Sequence, residues 1–327
     1  MLLPGLSDRR TRAWAAQAVG GVVLAAVLAL LASTLMDNLA RLNLTPGFEF
    51  LLRPAGMRMG ESVLPFEPTD SFAWAILAAT VNTVRVSVAA IALATVLGIA
   101  VGVMRLGSNP LLRSITSAYV ELFRNTPLLL QILFWSAILL KLPPIRDAIS
   151  LHDWAFLSNR GLRLPAITLQ GGFAIEYPVR RLLGYQGGIT LTPEFCALLL
   201  GLVAYHGTFI AEIVRGGILA VPRGQWEASR SLGLRDGAIL RRIVLPQALR
   251  VILPSMTTQY VGILKNSSLA IAIGYPDLFW AVSTAINVTG HAIEGVAALM
   301  AGYLVLTLGT SGAMGLWYAR MLRRGAR

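Results

Sequence analysis

Charge is scarce in this chain. Only 13% of its 327 residues are Asp, Glu, Lys or Arg, about half the 25% or so of a water-soluble domain. Cysteine occurs once, as Cys196, which excludes an internal disulfide and a cysteine metal site. The three histidines, His152, His206 and His291, are far apart and form no His-Glu-x-x-His pattern. Lone histidines are more often structural than ligands. Lysine occurs only at Lys141 and Lys265, each preceded by Leu. A phosphate-cradling Walker A loop needs Gly-Lys-Ser/Thr, so the chain cannot supply one. Nor does it show paired carboxylates, a metal-ligand cluster or a nucleophile elbow that would support an enzyme.

Long apolar runs take the place of charge. Hydrophobic residues make up 55% of the chain and the mean hydropathy is +0.66, and runs of 20 or more apolar residues read as membrane helices. Basic residues outnumber acidic ones 28 to 16. Nucleic-acid binding is the usual alternative for such a balance. Here the charges fall between the apolar runs, as the positive-inside rule requires.

Six helices are expected. The first covers 13–36, after a basic flank with Arg9, Arg10 and Arg12; it is too long for the apolar core of a cleaved signal peptide, about 7–15 residues. The others cover about 72–103, 115–140, 192–220, 247–273 and 292–318, with Pro254 a kink in the fifth. Segments 37–70, 141–190 and 274–290 are expected outside. Sixteen of the 28 Lys and Arg residues fall in segments expected inside, and nine outside, nearly all of these in two long loops. Both termini are therefore expected in the cytoplasm. The organisation expected is an N-terminal helix and periplasmic segment over 1–71, a transmembrane domain over 72–320 and a basic tail over 321–327.

Between the fourth and fifth helices, residues 222–246 are polar, basic and helix-forming. Pro222 suits a first helical turn, and Gly233 a left-handed helix end. Asp236 suits the N-cap of a second short helix, and Arg241 and Arg242 its C-terminus. Two short helices at an angle, with small residues at the corner, fit a groove on a partner. The alternative is a solvated basic loop. The spacing decides between them: Glu227-Ala228-Ser229, then Gly233, then Ile243, Leu245 and Pro246. This pattern resembles the EAA loop of ABC importer permeases, with Ser229 where Ala is usual. Six matches at fixed spacing arise by chance on the order of once in 10^7 windows at ordinary residue usage.

Three further stretches resemble the polar amino-acid branch of that family: Tyr119–Phe134, Ile210–Ala228 and Leu264–Phe279. The first reads F-R-N-T-P-L-L-L-Q, with Asn125 where the branch has Gly. The extra first helix and Phe156–Pro165 look most like general L-amino-acid permease subunits. The resemblance, over about 72–320, implies an all-α polytopic fold of the type I importer permeases. It also implies that Glu227, Ala228, Ser229, Gly233, Ile243, Leu245 and Pro246 dock a cytoplasmic ABC ATPase. ATP would then be bound by that partner, and this chain would need no cofactor. A second permease subunit, identical or homologous, and a periplasmic amino-acid-binding protein are the other implied partners, besides membrane lipid.

Charges inside membrane helices are functional hypotheses by default. Glu121 with Arg124, and Glu212 with Arg215, stand at i,i+3 and can pair locally. They are read as structural braces. Arg85 and Lys265 have no local partner and either snorkel or face a polar pathway. Lys265, Asn266, Ser267 and Ser268 together complement an amino acid's charges, so these four and Arg85 are the candidate substrate pathway. Two other readings stay open: an importer permease for another small polar metabolite, and a secondary transporter using Arg85 or Glu121. The latter leaves the loop spacing unexplained.

Overall fold

The computed structural model describes residues 9–41, 47–152, 154–168, 174–181 and 184–325. The tail beyond 325 and the side chains of Arg9, Arg10 and Arg324 lie outside them. The chain divides into two compact units, Met1–Phe50 and Leu51–Arg327. Residues 51–71, expected with the N-terminal segment, thus belong with the second unit.

The first unit is a single long helix, α1 (Arg9–Arg41). Trp14, Leu24, Leu28 and Leu31 are all more than half exposed, and such an all-round apolar surface suits lipid.

The second unit is built on α2 (Phe72–Met104) and α5 (Pro193–Leu219). Both begin at hydroxyl N-caps: Ser71 accepts from Trp74 N at 3.2 Å, and Thr192 from Phe195 N at 3.1 Å. The two helices pack closely because small residues line the seam. An added Cβ at Gly98 would lie 2.6 Å from Ile210 Cβ, and at Gly102 2.7 Å from the Ala211 carbonyl oxygen. Close backbone approach through small residues is how helices associate in membranes.

The third helix is not the single span expected over 115–140. It is α3 (Pro110–Asn125) and α4 (Leu128–Leu140), bent by 104°. Pro127 biases Thr126 away from helical geometry, and Thr126 is extended. Gln131 closes the break by donating Nε2 to the carbonyls of Phe123 (2.7 Å) and Thr126 (3.0 Å). After α5 come α6 (Arg223–Ser231), α7 (Asp236–Ile239), a π turn (Leu240–Val244) and α8 (Leu245–Asn266). A 3₁₀ segment follows (Ser267–Ile273), ending in left-handed Gly274. Residues 274–290, expected as an outside loop, hold instead a helix, α9 (Leu278–Thr289), capped by Asp277 and left-handed Gly290. The last helix is α10 (Ala292–Gly325). Among the described residues four helices are each long and apolar enough to cross a membrane, and up to six spans result if each bent pair is one span.

The insertion between α4 and α5 holds the strands named among the described residues. It forms a four-stranded antiparallel sheet of β1 (Ile149–Leu151), β2 (Ala155–Ser158), β3 (Gly161–Leu164) and β8 (Ile189–Leu191). Two hairpins stand between β3 and β8: β4 (Ala166–Thr168) with β5 (Ala174–Glu176), and β6 (Val179–Arg181) with β7 (Gly184–Gln186). Arg163 ties the sheet together, bonding the Gly187 carbonyl and, at 2.7 Å, Thr190 Oγ1. β8 runs straight into the Thr192 cap of α5, so the sheet fixes one end of that helix.

Candidate functional site

The stretch 222–246 folds into an elbow, but only α6 is a separate short helix: α7 continues through the π turn into α8, so Arg241 and Arg242 lie in that turn rather than at a helix C-terminus. α6 begins after Pro222 and ends at Gly233, whose φ of +75° is left-handed. The corner is sealed by Gly233 N to Arg230 O at 2.9 Å and Leu234 N to Ser229 O at 3.2 Å. Asp236 does not cap α7; it is that helix's first residue and instead pairs with Arg230, Nε to Oδ1 at 3.0 Å. The elbow is anchored inward by Val221, Ile239, Val244 and Ala248, all in the main core. Glu227, Ala228, Gly233, Leu245 and Pro246 are exposed, Ile243 is half-buried, and Ser229 is buried with its hydroxyl bonded to Gln225 O. An added Cβ at Gly233 would meet nothing within 4 Å. Beside α6 lies a cavity of about 430 Å³, lined by Leu106, Leu219, Arg223, Trp226, Glu227 and Arg230.

At the same end of α5, Glu212 gathers two cations. Arg215 Nε meets its Oε2 at 3.0 Å, the i,i+3 brace read from the sequence. Arg105, the C-cap of α2, meets Oε1. Arg105 also donates Nε to Ser117 Oγ of α3 at 3.3 Å, so one carboxylate joins three helices.

The other expected brace is absent. Glu121 and Arg124 are exposed and form no ion pair among the described residues. The Arg124 guanidinium lies over the Phe209 ring of α5, 4.7 Å from its centroid. Cation–π attraction competes well with an exposed i,i+3 pair, whose median worth is about 0–1 kcal/mol. Arg124, Phe209, Glu212, Ser255, Thr258 and Gln259 line an open cavity of about 420 Å³ among α3, α5 and α8.

Of the residues expected on a pathway, Lys265 is exposed with no ion pair among the described residues. Ser267 and Ser268 turn their hydroxyls back to Leu264 O and Lys265 O, each at 2.7 Å. Asn266 bonds His206 Nε2 at 3.1 Å, and His206 Nδ1 meets Gln259 Oε1 at 3.1 Å. This ladder stitches α5 to α8 and fits a neutral imidazole with its proton on Nδ1. His206 and Gln259 carried no sequence signal beyond being polar within apolar runs.

Among the described residues Arg85 has no partner close in sequence, as expected, and finds a distant one. It pairs with Glu61, 24 residues earlier, and Glu61 also accepts from the Thr192 hydroxyl. The Arg85 guanidinium stacks 4.5 Å from the Phe195 ring centroid.

Residues 94–323 match the family described as binding-protein-dependent transport system inner membrane component. The chain belongs to that family. Among curated relatives of this family, the chain is 38% identical to the putative amino-acid ABC transporter permease protein YhdX of Escherichia coli (strain K12), over 95% of this chain and 94% of the relative. It is 37% identical to the general L-amino acid transport system permease protein AapQ of Rhizobium johnstonii, over 87% of this chain and 86% of the relative. A crystal structure of an amino acid ABC transporter shares the fold, with a TM-score of 0.57 and 25% identity, covering 76% of this chain and 95% of that one. The MetNI methionine ABC transporter, at 18% identity and a TM-score of 0.55, agrees in fold. As a family member the chain is a multi-pass membrane transport subunit with the type I importer permease architecture.

Proposed function

We propose that this chain is the permease subunit of an ATP-driven importer of polar or general L-amino acids. The observation that carries the mechanism is the elbow at 222–246. Its exposed corner is made of small residues, held rigidly from the core side, and an added side chain at Gly233 finds open space within this chain. A partner that fills that space is a separate ABC ATPase, which hydrolyses ATP while this chain binds none. The amino-acid assignment follows the names of relatives that match nearly the whole chain. In this reading the elbow and both termini face the cytoplasm of a bacterial inner membrane. The sheeted insertion then faces the periplasm, where an amino-acid-binding protein delivers substrate. A second permease subunit completes the pathway.

Gly233→Asp tests the docking. Asp tolerates a left-handed backbone better than most residues, so the elbow survives while a charge enters the corner. Uptake should be abolished with the protein still inserted in the membrane, and the ATPase should separate on detergent extraction. ATPase retention together with normal uptake would refute the docking assignment.

A further inference from the structure

At the insertion end of α2 and α5 lies a third cavity, of about 320 Å³, lined by Glu61, Ser62, Val63, Arg85, Ile189 and Thr190. Its size is within the range of small-molecule sites, about 300–1,000 Å³. A cation and an anion stand side by side on its wall, and neither is saturated. Arg85 uses only Nη1 in hydrogen bonding among the described residues, toward Glu61. Its Nε and Nη2 donors are free of protein partners there, and its flat face rests on Phe195. Glu61 takes one bond on each carboxylate oxygen, from Arg85 and from Thr192, and a carboxylate has room for about four.

The position of Glu61 is built. Asn82, fully buried on α2, donates to the Glu61 carbonyl at 2.9 Å and accepts from Val63 N at 3.1 Å. The same Asn82 Nδ2 bonds Pro276 O at 3.0 Å. The irregular segment is thus clamped on both sides of Ser62. Glu61 and Arg85 both precede residue 94, where the family match begins.

We infer that this cavity is an entrance site for a zwitterionic α-amino acid, resting on the importer reading above. The substrate carboxylate takes the free edge of the Arg85 fork, the geometry in which guanidinium binds carboxylate best. The substrate ammonium takes the open lone pairs of Glu61. Both contacts form without breaking the Arg85–Glu61 pair, so binding leaves no buried charge alone. The side chain is left toward Val63, Ile189 and the open mouth, which suits a site that accepts many amino acids.

The test is equilibrium binding of tritiated L-glutamine to the intact purified transporter in lipid nanodiscs, with no binding protein present. The competitors are 4-aminobutanamide, which lacks the carboxylate, and glutaramate, which lacks the ammonium. The wild type should bind L-glutamine and be competed by neither analogue. Arg85→Gln and Glu61→Gln should each weaken binding at least tenfold. Arg85→Lys keeps a cation for Glu61, so the brace and the fold persist, but it removes the fork; binding should weaken several-fold. Wild-type affinity in Arg85→Gln and Glu61→Gln would overturn the site. If Arg85→Gln fails to fold, wild-type affinity in Arg85→Lys overturns it equally. Uptake of amino acids by wild-type vesicles supplied with binding protein is measured in parallel. Its absence would remove the importer reading, whereas its presence with unchanged variant binding would remove only the entrance site.

Discussion

Arg85 lies part-way along α2 and Arg105 caps its C-terminus, and the two are used differently. Arg105 and Arg85 stand 20 residues apart, about 30 Å along a helix. At the elbow end, Glu212 takes one cation on each oxygen, and Arg105 also reaches Ser117. That cluster also borders a cavity, but its partners stand on helices or cap them, and it joins α2, α3 and α5. At the insertion end, Arg85 and Glu61 keep unused donors and lone pairs beside a cavity. Here the acid arrives on an irregular segment rather than on a helix. The same residue types join helix to helix at one end and helix to irregular segment at the other.

The change that breaks both ends together is Gly102→Leu. Its Cβ alone would lie 2.7 Å from the Ala211 carbonyl oxygen, so α2 and α5 must separate. Overpacking costs about 1–3 kcal/mol or more. We expect little folded protein after detergent extraction, read by size-exclusion chromatography, and no uptake. A well-folded Gly102→Leu transporter would show that the two clusters do not share one rigid seam.

Next in size is Glu212→Gln, at the elbow end. Arg105 and Arg215 then face one another without a carboxylate. Hydrogen bonds to charged groups contribute about 1.5–3 kcal/mol, and partial exposure places this loss at the lower end. A melting temperature lower by a few degrees is expected, with uptake reduced more than stability explains. Equal melting curves would mean that the Glu212 cluster does not fasten the three helices.

The smallest effect belongs to Ser267→Ala and Ser268→Ala, between the two ends. Both hydroxyls bond their own backbone, and even interhelical bonds in membranes average only about 0.6 kcal/mol. Stability and the relative uptake of different amino acids should stay as in the wild type. Altered relative rates would place this segment on the substrate path.

The same contrast explains what the sequence reveals. α2 and α5 are legible almost to the residue, because their apolar runs are long and their N-caps are Ser71 and Thr192. The elbow is legible because Gly233 and the spacing around it are local. Glu212 with Arg215 is local too. Glu61 with Arg85 is not: no periodicity links a residue of an irregular segment to one 24 positions later. The break at Thr126-Pro127 carried a signal in Pro127, outweighed by the apolar run on both sides. α9 has 12 residues, too few to read as a span, though Asp277 and Gly290 mark its ends. The strands of the insertion are three or four residues each, too short for alternation to show.

α2 is unbroken from Phe72 to Met104 and contains no proline; its 33 residues make a rod about 50 Å long. The chain from Asp236 to Gly274 covers a similar stretch but changes helix type at the π turn and again at Ser267, with Pro254 between. One is a strut and the other a spring. Arg105 and Arg85 are joined by one uninterrupted run of helix, whereas the chain from the π turn to Gly274 is joined through two changes of winding.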